Sequence, residues 1–276
     1  MSGHAQALVE ALQAARRSPI VVTTGAGISL ASGIPTFRGQ DPGAVWKRDV
    51  TELGTLRYFR EDPAGSWRWY MSRFERVRAA RPNPAHQALV ALQAWQRAAG
   101  GDFLLVTQNI DTLHEQAGSR DFVKVHGSVD RVRCARDGCR LGAPTGSLAR
   151  AEVNLDAFAR DPVVGNLPRC PACGALLRQH VLWFDECYDG HADYQWDRVR
   201  AAAANAELFV FVGTSFSVGV TDLLLESALA RCVPVFSIDP HTPPPVPGVI
   251  AVRAPSETLL PEVLHGPGGL MTKHAN

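Results

Sequence analysis

Four cysteines carry the firmest chemical signal in the chain. Cys134-x4-Cys139 and Cys170-x2-Cys173 are two thiol pairs about thirty residues apart. Four thiolates in two knuckles suit a tetrahedral structural Zn2+. Such a site has no open coordination position, so the metal is expected to hold structure and do no catalysis. The alternative is two pairs of buried free thiols. Cys187 and Cys232 have no partner at such spacing and are expected to be core or incidental residues.

A second constellation begins near the N-terminus. Ile20-Val21-Val22 is a β-branched run of the kind that forms a strand buried on both faces. Gly25 and Gly27 follow at once and let the backbone turn tightly against a ligand. A helix opening there would aim its N–H groups at a phosphate, with Ser29 placed to cap it. The stretch lacks the full Gly-x-Gly-x-x-Gly fingerprint, and an ordinary sharp turn after a buried strand reads it as well. Gly33-Ile34-Pro35-Thr36-Phe37-Arg38 then adds a rigid turn, an aromatic ring and a guanidinium.

Gln108-Asn109-Ile110-Asp111 closes a predicted strand, Asp102 to Thr107, at the end where open α/β sheets bind ligands. Asn109 and Asp111 there either orient a ribose or a carboxamide or form an Asx turn. His126 follows the apolar run Phe122 to Val125 and precedes Gly127. It is the histidine placed as a general base, with a structural strand-end imidazole as the alternative. His86 and His114 fall in helical stretches and read as structural.

The elements that must position these groups alternate. Helices are expected over residues 4–17, Ser66 to Arg78, Ala85 to Ala99 and Asp222 to Ala230. Strands are expected at Glu207 to Gly213, Val233 to Ile238 and Val249 to Val252, besides those named. Alternation of this kind implies a parallel, doubly wound sheet. The Trp- and Arg-rich segment 39–81 reads as a helical insertion, and the cysteine-bearing segment 127–190 as a second one. Residues from Gly266 read as a disordered tail.

The 276 residues hold 46% apolar side chains and carry a formal net charge of +1. That allows one large α/β domain with an insertion, and it gives no basic field for nucleic acid or an anionic membrane. No apolar run reaches the ~18 residues of a membrane span, and Gln6 to Arg17 is amphipathic rather than a secretory signal. Six cysteines without such a signal point to a reducing, cytoplasmic setting.

The order of these motifs resembles one family. Gly-Ala-Gly-Ile-Ser, Gly-Ile-Pro-Thr-Phe-Arg, Thr107-Gln108-Asn109-Ile110-Asp111, His126-Gly127, the four cysteines, Trp183-Phe184 and Gly213-Thr214-Ser215 occur in the sequence of the sirtuins, NAD-dependent protein-lysine deacylases. The resemblance implies a Rossmann-like NAD-binding domain of residues 1–38, 82–126 and 205–265. It adds the helical insertion 39–81, the zinc-binding insertion 127–190 and the tail 266–276. By it, Gly25, Ala26, Gly27 and Ser29 hold the NAD phosphates, Arg38 supports the loop, Phe37 shields the nicotinamide-side ribose from solvent, and Thr36 is a further cofactor-binding residue. Gln108, Asn109 and Asp111 position nicotinamide and its ribose, Asn109 and His126 being the catalytic pair. Gly213, Thr214 and Ser215 meet the adenosine half, with Asp239 and Ser256 at its ribose and adenine; Asp239 replaces the usual Asn. The implied chemistry is attack of the acyl-lysine amide oxygen on the nicotinamide ribose, with His126 taking a proton from a ribose hydroxyl. Free lysine, nicotinamide and O-acyl-ADP-ribose result. The rival on the same scaffold is an NAD hydrolase or ADP-ribosyltransferase.

Tyr70 and Arg73 share a helix face at i and i+3, where a phenol beside a guanidinium can bind a carboxylate. Their placement is similar to the Tyr-x-x-Arg of class III sirtuins, which prefer succinyl-, malonyl- and glutaryl-lysine. Thr36, Thr51 and His180 also resemble that class. The alternative for Arg73 is a solvated arginine like Arg68, Arg76 and Arg78. Val181, Trp183 and Phe184 fall where the family adds the substrate peptide as a strand. The usual Trp-Phe-Gly-Glu is here Trp183-Phe184-Asp185-Glu186, and Gln179 replaces a Pro. Asp185 is expected to add charge beside the peptide.

Overall fold

A computed structural model describes residues 3–36, 49–241 and 246–272. Six strands form one parallel sheet: β1 (Ile20–Thr24), β2 (Phe103–Thr107), β3 (Val123–Lys124), β7 (Leu208–Val212), β8 (Val235–Ile238) and β9 (Val249–Val252). Between them in sequence, β4 (Gly127–Cys134), β5 (Leu148–Ala149) and β6 (Leu177–Val181) form a separate antiparallel sheet. The helices are α1 (Gly3–Ala14), α2 (Asp49–Leu53), α3 (Leu56–Glu61), α4 (Pro63–Ala79), α5 (Pro84–Ala98), α6 (Leu113–Ala117), α7 (Asp156–Arg160), α8 (Trp196–Asn205), α9 (Gly219–Ala230) and α10 (Ser256–His265).

The large sheet has the order β3-β2-β1-β7-β8-β9. The chain winds outward from β1 on one side and outward from β7 on the other. The switch point between β1 and β7 leaves a crevice at their carboxyl ends, where such sheets bind ligands. β1, β2 and β7 are buried along their whole length, because helices cover both faces. Leu8, Val9 and Leu12 of α1, Leu89 and Leu92 of α5 and Leu259, Leu260 and Val263 of α10 pack on one face. Val199 and Ala203 of α8 and Val220 and Leu224 of α9 pack on the other.

The two insertions share a single core. Trp67, Tyr70 and Phe74 recur at helical spacing along α4 and meet Val129, Val132, Leu177 and Val181 of the small sheet and Trp183 just beyond it. Burying each such side chain contributes about 1.5–3 kcal/mol. The helical layer and the cysteine ribbon therefore make one small domain, although α4 ends at Ala79 and β4 begins only at Gly127.

Two expectations change, and some elements had not been expected. α1 ends at Ala14 rather than Arg17. α8 and the ribbon strands were not legible as periodic runs, since α8 is Arg- and Ala-rich and the strands are interrupted by turns. The segment after Gly266 is not a loose tail: Leu270 and Met271 donate backbone N–H groups to Val263 and Leu264 and pack against the main core as far as Thr272.

Candidate active site

β1 and β7 end in loops that interlock. Gly25 N–H donates to Val212 O at 3.0 Å, and Gly27 N–H donates to Gly213 O at 2.8 Å. The approach requires glycine on both sides: a Cβ on Gly27 would stand 2.6 Å from Gly213 Cα, and Gly213 has φ +59°. Ala26–Ser32 forms a 3-10 helix with Gly25 at its N-cap. Ser29 is thus not the cap that the sequence suggests. The tighter winding turns it inward, where its hydroxyl donates to Asp111 Oδ2 at 2.9 Å.

Asn109, at the end of β2, donates through Nδ2 to Gly25 O at 3.0 Å and to Ser29 Oγ at 3.1 Å. Asp111 Oδ1 accepts from Leu113 N–H at 3.0 Å, so an Asx turn and a site carboxylate coexist in one residue. Gln108 Nε2 donates to Thr214 Oγ1 at 3.1 Å and joins the β2 and β7 loops. Gly25, Ser29, Gln108, Asn109, Asp111, Gly213 and Thr214 are thereby brought together. Asp239 and Ser256 follow β8 and β9 on the same sheet edge, with Asp239 Oδ1 accepting from His241 N–H at 2.8 Å. Ser215 is exposed, its hydroxyl 3.0 Å from that of Ser217. Thr36 is half-buried; Phe37 and Arg38 lie outside the described residues. His86 and His114 are buried behind the cluster, His114 Nε2 lying 3.0 Å from Thr24 Oγ1 and His86 Nδ1 accepting from Asn83 N–H.

His126 stands where the large sheet hands over to the small one. Its Nδ1 lies 2.8 Å from Gln108 O, and its own carbonyl accepts from Leu182 N–H at 2.9 Å. A carbonyl only accepts, so Nδ1 carries the proton and Nε2 the lone pair. Desolvation pushes the imidazole pKa down to about 4, partly offset by the bond to Gln108 O. The ring is neutral at physiological pH and able to accept a proton. Gly127, with φ +79°, turns the chain away against His180 O.

In the ribbon, Cys134 Sγ lies 3.5 Å from Cys173 Sγ and Cys139 Sγ 3.7 Å from Cys170 Sγ. All four sulfur atoms fall within 4.8 Å of one another. A tetrahedron with Zn–S near 2.3 Å has edges of about 3.8 Å, so the four thiols fit one Zn2+. Cys187 and Cys232 are exposed, not core. His180, His191 and Asp193 also cluster, but as a hydrogen-bonded set: His191 donates to Gly146 O through one nitrogen and accepts from Asp193 N–H at the other.

The segment expected to meet substrate is tied down in unexpected ways. Trp183 Nε1 donates to Tyr70 Oη at 2.7 Å, and Tyr70 is buried. Arg73 lies over the Trp69 ring, 4.1 Å from its centroid, and donates to Trp69 O. Val181 is buried and Phe184 exposed. Thr51, on α2, is exposed. The Asp185 carboxylate is engaged within the fold: its two oxygens accept from Leu56 N–H at 2.7 Å and Arg57 N–H at 3.0 Å, at the start of α3. Free N–H groups and the helix dipole draw the carboxylate there.

Sequence reasoning also missed Glu186. Its carboxylate accepts from Arg133 at 2.8 Å, from Arg178 at 2.6 Å and 2.8 Å, and from Trp183 N–H at 3.0 Å. Burial raises the Glu186 pKa, and Arg178 with Arg133 more than offsets this, leaving it below the ordinary value. A Glu after a Trp-Phe pair and two Arg residues on facing strands were the signals available.

Fold and site together define a dinucleotide-binding enzyme with a thiolate-stapled small domain. The donor set at the switch point, with one neutral imidazole beside hydroxyl, amide and carboxylate groups, fits a ribosylated cofactor. The Sir2 family model matches residues 25–220, and the chain belongs to the Sir2 family. An NAD-dependent protein deacylase of Thermus thermophilus is 40% identical over 237 residues, covering 86% of this chain and 84% of that protein. The dog mitochondrial NAD-dependent protein deacylase sirtuin-5 is 34% identical, covering 91% of this chain and 82% of that one. A Sir2 homolog solved as an NAD complex superposes with a TM-score of 0.73 at 33% identity, covering 93% of this chain and 91% of the other.

Proposed function

We infer that the protein is an NAD-dependent protein deacylase that frees acylated lysine side chains in other proteins and prefers short dicarboxylic acyl groups. The observation that carries the activity is the neutral imidazole of His126, its Nδ1–H held on the carbonyl of Gln108, the residue next to Asn109 of the Ser29–Asn109–Asp111 cluster, in a chain of the Sir2 family.

NAD, when bound, supplies the nicotinamide leaving group and the ribose carbon that receives the acyl oxygen. Gly25, Ala26, Gly27 and Ser29 would hold its phosphates. Gln108, Asn109 and Asp111 would orient the nicotinamide half, while Gly213, Thr214, Ser215, Asp239 and Ser256 would take the adenosine half. His126 accepts a proton at Nε2, with Nδ1–H fixed on Gln108 O. Cys134, Cys139, Cys170 and Cys173 would hold one Zn2+, which joins the turn after β4 to the turn before β6. No serine or cysteine nucleophile is needed, because the cofactor carries the leaving group.

Tyr70 and Arg73 bind the acyl carboxylate in this reading. The Trp183–Tyr70 hydrogen bond supports it, since it ties the phenol to the segment 181–184 that would hold the peptide. Arg73 has to leave the Trp69 ring to reach a ligand. We place the enzyme in the cytoplasm on composition; no helix among the described residues is long and apolar enough to cross a membrane.

A panel of acetyl-, succinyl- and malonyl-lysine peptides with NAD, read by nicotinamide release, tests the reading. Turnover is expected with the acidic acyl groups fastest, and His126→Ala is expected to abolish it. ADP-ribose formed from NAD without any peptide would favour an NAD hydrolase instead.

A further inference from the structure

The lone pair of His126 already has a partner. Nε2 lies 3.3 Å from Tyr188 Oη, and the two rings are stacked with centroids 5.7 Å apart and 26° between planes. Tyr188 is itself fixed. Its ring stacks on Trp196 at 4.3 Å and 16°, and its hydroxyl oxygen accepts from Val220 N–H at 3.3 Å. Gly219 leaves room for it: a Cβ there would stand 3.3 Å from the Tyr188 ring. The proton assignments follow in one direction. Val220 N–H can only donate, so it donates to the phenol oxygen. Gln108 O can only accept, so Nδ1 is protonated and Nε2 must accept from the Tyr188 hydroxyl.

We propose that Tyr188 is a positioning residue for the base: its hydroxyl donates to Nε2 of His126 and locks the imidazole as the neutral Nδ1–H tautomer. It also links the base to the first turn of α9, which follows the Gly213–Thr214–Ser215 loop. This rests on His126 being the base. During turnover, the substrate hydroxyl takes the place of the Tyr188 hydroxyl on Nε2. The O–H bond of the substrate breaks, an Nε2–H bond forms, and Tyr188 keeps its own proton.

The surroundings agree with a phenol that stays protonated. Burial raises the Tyr188 pKa, Val220 N–H lowers it somewhat, and Asp222 of α9 raises it further. Two charged groups close to His126 are occupied elsewhere. Lys124 donates to Asp111 O, Glu115 and Ser128, and Asp111 is held by Ser29 and Leu113 N–H. From β6 and the turn beyond it, only backbone groups of His180 and Leu182 are seen to face the residue 126–127 hinge. The Tyr194 ring also stands against Gly127, and the Gln108 carbonyl against the His126 ring.

Tyr188→Phe keeps the stack and removes the hydroxyl. A hydrogen bond given to the neutral imidazole disfavours its protonation, so losing it raises the His126 pKa. In protein labelled with 15N-histidine, the His126 Nε2 signal is expected to move to the position of an imidazole nitrogen without a donor. The titration midpoint should rise by about one unit. The acid limb of kcat/KM should follow by the same tenfold in proton concentration, with KM for NAD changed less than twofold. An unchanged Nε2 signal and midpoint in Tyr188→Phe overturn the proposal. Should that variant fail to fold, the wild-type spectrum decides: a His126 protonated on Nε2, or an Nε2 with no donor, overturns it. Absence of nicotinamide release by the wild type would refute the deacylase reading, while the nitrogen signals still decide the role of Tyr188.

Discussion

The large sheet and the small domain are held together by different physics. The sheet is a continuous apolar core: β1, β2 and β7 expose almost nothing, and helices cover both faces. The small domain has a thinner apolar core, two nearly buried arginines on one carboxylate, and four thiols at its end. Area burial dominates the first, with a few buried side-chain hydrogen bonds such as Thr24 to Thr107. In the second, removing one ligand or one charge leaves its partners without compensation. His126 sits on the seam and takes its partners from both sides, Gln108 O from the sheet and Leu182 N–H from the ribbon. Loss of the small domain should therefore disarm the base without unfolding the sheet.

The largest expected effect comes from the thiolates. Chelating the metal, or Cys170→Ser, should unfold the ribbon and abolish deacylation, since structural zinc contributes about 10–16 kcal/mol in small domains. Far-UV circular dichroism should keep most of its helical signal, and the metal-replete protein should hold one zinc per chain by elemental analysis. A single cooperative loss of all structure would break the comparison.

Glu186→Gln comes next. It leaves Arg133 and Arg178 short of an anion, and breaking such a buried pair costs about 3–5 kcal/mol. Denaturant unfolding should show this loss in the small domain first. The pH dependence has a definite sign. The Glu186 pKa is depressed in the fold, so its contribution is present above the ordinary carboxylate pKa and is lost as pH falls through the folded value. Glu186→Gln should flatten that acid-side decline, a comparison of midpoints across acid pH.

Arg73→Met should change selectivity more than stability. A charge-assisted bond to an acyl carboxylate is worth about 1.5–3 kcal/mol, or ten- to a hundredfold. Desuccinylation should fall by that factor while deacetylation changes little; equal loss of both would remove the carboxylate role. The smallest effect belongs to Asp185→Ala, which leaves Thr55 capping α3 but removes the acceptor of its first two N–H groups, a loss of about 0.5–2 kcal/mol. Its peptide affinity should stay within a few-fold of wild type, measured by KM for an acyl peptide.

Much of the sheet was legible because its signals are local. Alternating β-branched runs and amphipathic stretches placed β1, β2, β7, β8 and β9 to within a few residues. The cysteine spacing, likewise, marked four residues whose thiols do converge. The ribbon strands and α8 escaped notice, since short interrupted strands and an Arg- and Ala-rich helix give weak periodicity. Ser29 misled because Ser after a glycine turn suggests a cap, and nothing local reveals that the turn winds as a 3-10 helix. Asp185 misled similarly: its partner N–H groups lie about 130 residues earlier in the chain.

By itself, the sequence determined the parallel α/β sheet, the positions of its glycine turns, the four thiols and the histidine at a strand end. These follow from side-chain period, backbone freedom and residue chemistry, which act over a few neighbours. Only the tertiary structure decided that α4 and the ribbon share one core, that Asp185 serves α3, and that Glu186 gathers two arginines. It alone set Tyr188 against the lone pair of His126. Those choices depend on which distant groups compete for each hydrogen bond once water is excluded, and that competition exists only in the folded chain.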